Sequence, residues 1–159
     1  MGKINYGRVV LGGVVGGIIS FVLWWFFNGV LLFQLWVAAT NALNPSGHNA
    51  ASPPALLASM LLIGIASEIL AIWMYAVIRS RFGAGVRTAI VVSVFLWIVE
   101  FLLPNAAWST TGFFSRRLLL YNALAGLVLG VAGTVVGAAL YKEEATANYP
   151  VAEAGQALR

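Results

Sequence analysis

The sequence predicts an all-α fold, a polytopic four-helix transmembrane bundle built as two tandem helical hairpins. Three observations carry that prediction. The chain is 61% hydrophobic and 9% charged, whereas a water-soluble domain carries about 25% charged residues. Its apolar residues gather into four runs, each near the roughly 20 residues needed to cross a bilayer. Acids are almost missing: no aspartate occurs, and Glu68 and Glu100 are the only acidic residues before Glu143.

The 159 residues divide into a four-span domain over 1–141 and a polar tail over 142–159. The first span is expected over about 8–31. It follows Lys3 and Arg8, but its apolar stretch from Val9 to Ala39 is too long for a cleaved signal and holds Trp24, Trp25, Phe26 and Phe27, so it reads as a retained anchor. Met1-Gly2 lacks the Ser or Thr at the sixth position that myristoylation requires, because Tyr6 stands there. The helical pattern continues over 32–43, so a bend is expected at Asn28-Gly29, with 32–43 lying in the interface. Asn44 to Ser52 reads as a loop, and Ser52 with Pro53-Pro54 as a helix start. The second span is expected over 54–79, with Gly83 and Gly85 in the following turn. The third is expected over 86–103, stopped by Pro104, and the fourth over 116–141.

Orientation follows from Lys and Arg. Lys3 and Arg8 precede the first span, and Arg79, Arg81 and Arg87 flank the second turn, while the first-to-second loop has no charge. Both termini are therefore expected in the cytoplasm. The net charge of +4 belongs to these short basic loops. It implies membrane lipids as partners and not nucleic acid. Without cysteine, disulfides and thiolate metal sites are excluded.

Ile63 to Tyr75 (IGIASEILAIWMY) aligns with Leu129 to Tyr141 (LGVAGTVVGAALY), and Ser20, Leu23 and Trp24 with Ser93, Leu96 and Trp97. A duplication would relate two hairpins by a pseudo-two-fold along the membrane normal. It would pair Glu68 with Thr134 and Glu100 with Phe27. Helix packing in lipid depends on small residues that let backbones approach. Gly12, Gly13, Gly16 and Gly17 give overlapping GxxxG pairs, and Gly126, Gly130, Gly133 and Gly137 form a stripe with Asn122. These two faces are expected to pack on each other or across a homo-oligomer.

A carboxylate within hydrocarbon is expensive, so it is usually paired, protonated or functional. Glu68 shares a helix face with Gly64, Ala71 and Tyr75 near the bilayer centre, where no cation is expected. Its expected partners are Asn122, Asn28, Tyr121 or a backbone carbonyl. Glu100 lies roughly 6 Å inside Pro104 by helical rise. It is the acid nearest Arg116 and Arg117, two cations at a helix N-terminus whose dipole disfavours them. An ion pair, lipid phosphate contacts and an anion-binding pocket are the readings open there. Glu68, Glu100, Asn28, Asn122, Arg116 and Arg117 are thus the candidate polar site. His48 reads as an exposed loop residue, and no metal site is expected. Trp36, Trp108 and Tyr141 suit interfacial belts. Trp24, Trp25, Trp73 and Trp97 lie deeper and suit packing or a flat apolar ligand. No nucleophile elbow, phosphate loop or H-E-x-x-H motif occurs.

Tyr6 to Gly13 (YGRVVLGG), Asn28-Gly29 and Arg79 to Ala89 (RSRFGAGVRTA) resemble a group of small uncharacterised bacterial inner-membrane proteins with four predicted transmembrane helices. The likeness covers most of 6–141. It implies a bacterial cytoplasmic membrane location and transfers no catalytic residue. In that group a polar or acidic residue is expected near the end of the first helix, where this chain has Asn28. The leading expectation is a non-enzymatic accessory or scaffold subunit, alone, as a homo-oligomer or in a larger membrane complex. A proton- or cation-coupled transporter or channel using Glu68, and a binder of a lipid-soluble cofactor between aromatic helix faces, are the alternatives.

Overall fold

The computed structural model describes residues 4–46 and 53–143. Lys3, His48, the proposed Ser52 helix start and the tail beyond Glu143 lie outside the described residues. Six α-helices follow in order: α1 (Tyr6–Phe26), α2 (Phe33–Leu43), α3 (Pro53–Phe82), α4 (Val86–Trp97), α5 (Leu103–Thr111) and α6 (Arg116–Leu140). A π-helical segment, Phe27–Leu31, leads from α1 to α2, and another, Ile98–Leu102, leads from α4 to α5. Four helical stretches, Tyr6–Leu31, Pro54–Phe82, Val86–Thr111 and Arg116–Leu140, are long and apolar enough to cross a membrane. Large apolar side chains such as Leu62, Phe95, Leu120, Leu124 and Val128 face outward. Such a surface belongs in lipid, since contiguous apolar exposure of this extent is not sustained in water. The chain is an integral membrane protein with an all-α bundle.

The third span is longer than expected. Pro104 does not stop it, and the helix runs on to Thr111. An α-helical proline would orphan the carbonyl four residues back, that of Glu100, and press its ring against it. The π segment removes the conflict. Leu103 N–H donates to Ile98 O, five residues back, and the wider turn moves the carbonyls out of register. The Asn105 amide then donates to Phe101 O at 2.8 Å. The bend expected at Asn28-Gly29 is the same device. Leu32 N–H donates to Phe27 O at 2.8 Å, and the Asn28 amide donates to Trp24 O at 3.3 Å.

The bundle is held by α1, which packs on α3 with one face and on α6 with another. Gly12 and Gly16 meet Gly137 and Gly133 of α6: a Cβ on Gly12 would stand 2.6 Å from Gly137 O, and one on Gly16 2.7 Å from Gly133 O. Gly13 and Gly17, one position along, meet Ile69 and Ile65 of α3, and a Cβ on Gly17 would stand 2.5 Å from Ile65 Cα. Residues four apart share a helix face, so the two glycine pairs serve two neighbours. Lipid gives no hydrophobic drive between helices, so this backbone proximity supplies the dispersion contact that does.

One end of the bundle collects the start of α1, the α3–α4 turn and the end of α6. Gly85 N–H donates to Tyr75 Oη at 2.9 Å. The Tyr75 and Tyr141 rings meet edge to face with centroids 6.1 Å apart. The Arg79 guanidinium lies over both rings and forms an ion pair with Glu143 at 3.1 Å. Tyr141, expected in an interfacial belt, is buried instead. At the other end Phe114 contacts the rings of both Trp36 and Trp108, tying α2 and α5 together.

Candidate functional site

The helices that pack tightly at the Arg79 end diverge toward the other. A cavity of about 840 Å³ lies between them, within the range of small-molecule sites. Along α3 its lining reaches from Ala71 to Leu56, roughly 22 Å of helix. Its inner end is polar. Glu68 is 5% exposed, and it accepts hydrogen bonds from Ser20 Oγ at 2.7 Å and Thr134 Oγ1 at 3.1 Å. Ser20 also reaches Leu129 O at 3.0 Å. These contacts join α1, α3 and α6 at one point. Gly133 makes the junction possible, because a Cβ there would collide with both Ser20 Oγ and Glu68 Oε1. Ser93 of α4 lines the same end, and its buried hydroxyl has no hydrogen-bond partner.

Aromatic side chains form the walls. Trp24 and Trp25 come from α1, Trp36 from α2, and Trp97 from α4, with Phe101 from the second π segment. The Trp36 indole donates to Asn28 Oδ1 at 2.9 Å, and the Trp97 indole to Ala123 O at 2.7 Å. Each such bond fixes a ring plane, which a packed wall requires. Trp73, grouped with the deep tryptophans by sequence, points outward and does not line the cavity.

Four of the six sequence candidates come together here: Glu68, Glu100, Asn28 and Asn122 all line the cavity. Asn122 donates to Asn105 Oδ1 at 3.3 Å, joining α6 to α5. Glu100 is exposed along the cavity, with the Ser67 hydroxyl of α3 beside it. Arg116 and Arg117 do not join them. Both are exposed, and Arg117 lies over the Tyr121 ring at 5.5 Å. Among the described residues the only ion pair is Arg79 with Glu143, so the pair expected between Glu100 and these arginines is not formed. The cause is position. The helix does not end at Pro104, so Glu100 stays a further two turns inside the third span. Among the described residues no arginine or lysine lines the cavity.

Ser20 and Thr134 are the partners of Glu68, in place of the Asn28, Asn122 or Tyr121 expected. A signal for both existed. Ser20 continues the Gly12, Gly16 spacing, and Thr134 stands four residues after Gly130. Each therefore sits on the glycine stripe that faces its neighbour. Ser93 carries no comparable signal beyond its match to Ser20. No family model, curated protein or solved structure matches this chain.

Proposed function

We propose that this membrane protein takes a lipid-soluble ligand into the cavity between its helices. One observation supports the reading above all: a cavity of about 840 Å³ is walled by indole rings and is also lined by two glutamates, two asparagines and an unpartnered serine. Packing alone does not call for such a void, because interiors close to near-crystalline density. The scaffold reading rests on the glycine faces, and their contacts are made within one chain. A bacterial inner membrane, with both termini in the cytoplasm, is the setting we propose from the loop arginines and the sequence resemblance.

We also read the chain as a tandem duplication. The order helix, π segment, short helix, long helix occurs twice. Glu68 touches Thr134, and Tyr75 touches Tyr141. Both pairs join positions that the repeat alignment equates, as residues astride a pseudo-two-fold axis would.

Gly64 provides the test of the ligand reading. It lines the cavity, and a Cβ there would be 3.6 Å from the nearest atom, Gly17 O. Gly64→Phe therefore has room for its Cβ and directs its ring at the cavity, and thermal unfolding of the variant checks that the bundle stays packed. Native mass measurement on protein released gently from its membrane is expected to show a bound small molecule on the wild type and none on Gly64→Phe. A wild type without an adduct, or an adduct unchanged by the substitution, would overturn the reading.

A further inference from the structure

We infer that the cavity selects a lipophilic organic cation. This rests on its being a ligand site, and it names the ligand's chemistry. Glu68 and Glu100 both line the cavity, and among the described residues no arginine or lysine does. The indole rings of Trp24, Trp25 and Trp97 also line it, and an organic cation is attracted to the negative face of such a ring. In a site removed from water a carboxylate and a cation attract far more strongly than in solvent. An anion would meet two carboxyl groups and, among the described residues, no basic side chain.

The hydrogen-bonding inventory points the same way. Several donors along the cavity are committed within the protein. Ser20 and Thr134 donate to Glu68, the Trp97 indole to Ala123 O, and the Trp36 indole to Asn28. Acceptors remain, chiefly the Glu100 oxygens. Ser93 is an independent sign of an occupant. Its side chain is 2% exposed and lines the cavity, and its hydroxyl is unpartnered. A buried hydroxyl left unpaired costs free energy, which a polar atom on a ligand would recover.

The test uses two ions of matched shape and opposite charge, tetraphenylphosphonium and tetraphenylborate. The full chain is placed in nanodiscs of zwitterionic lipid, and tryptophan fluorescence is followed during titration, with empty nanodiscs correcting for partition into lipid. The expected result is saturable binding of tetraphenylphosphonium at least about tenfold tighter than of tetraphenylborate. Glu100→Gln should weaken it about tenfold or more, and Glu68→Gln should also weaken it. Trp108→Phe, outside the cavity, should leave it unchanged. Both glutamine variants preserve side-chain size, and Glu100 makes no ion pair to lose; Glu68→Gln gives up an acceptor for Ser20 or Thr134, so its fold is checked by the detergent-denaturant titration and Glu100→Gln carries the test. Equal binding of the two ions, or binding unaffected by either glutamine, would overturn the cation assignment. If both ions bind equally and Gly64→Phe removes both, the cavity remains a ligand site and only its charge preference is wrong. Saturable binding of neither ion also overturns the assignment, and the mass measurement on the wild type then decides the ligand reading separately.

Discussion

Thr134 and Ser93 are buried hydroxyls on neighbouring helices with opposite circumstances. Thr134 donates to Glu68, while Ser93 has no partner. Thr134→Val keeps the shape and removes a donor to a buried carboxyl, so it should destabilise the fold by about 0.5–2 kcal/mol. Ser93→Ala removes a group already unpaired and should be neutral or slightly stabilising in the ligand-free protein. Unfolding in a detergent-denaturant titration measures both. Equal losses would mean that Ser93 has a partner of its own. At this scale the sequence exposed the acids but not their company. Glu68 stood out because carboxylates are rare in apolar runs, whereas Ser20 and Thr134 are common in membrane helices and unremarkable by type. What makes them partners is a three-helix junction that only packing creates.

Among elements, α1 is the one the others depend on, since its two glycine pairs fit two different helices. Gly17→Ala should cost about 1–3 kcal/mol, because the new Cβ meets backbone and the helices must part. Gly64→Ala, whose Cβ would meet only Gly17 O at an ordinary contact distance of 3.6 Å, should change stability by no more than about 0.5 kcal/mol. Thermal unfolding of the two variants side by side distinguishes them. The four spans were legible from hydropathy alone, and so was the short helix after the first span. The end of the third span was not. Pro104 is a sound stop signal in an α-helix, but a π segment ahead of it takes up the missing hydrogen bond, and a π turn leaves no mark on hydrophobic periodicity. That single shift moved Glu100 away from the arginines and into the cavity. The cavity itself was illegible, because a void belongs to how helices diverge and not to any one of them.

Over the whole molecule the two ends differ in kind: a closed end, clamped by Arg79 between two tyrosines, and an open end beyond the cavity. The absence of cysteine makes topology directly measurable. Ser80→Cys and Thr110→Cys both place a thiol at an exposed position, at the closed and open ends respectively. An impermeant maleimide applied from outside intact cells should label Thr110→Cys and not Ser80→Cys. The reverse pattern would invert the orientation. The two π segments bear on this polarity. Each holds one residue more than an α turn can accommodate. If that surplus slides by one residue, the residue it passes rotates by about 100° around the helix axis, while the helix on either side keeps its register. Asn28 and Gly29 sit in one segment, Glu100 and Phe101 in the other, and all four line the cavity. Below them the glycine contacts of α1 leave no room for a side chain, so a shift of register in either π segment would re-aim a carboxylate or an amide at the cavity wall while that half of the bundle stays packed.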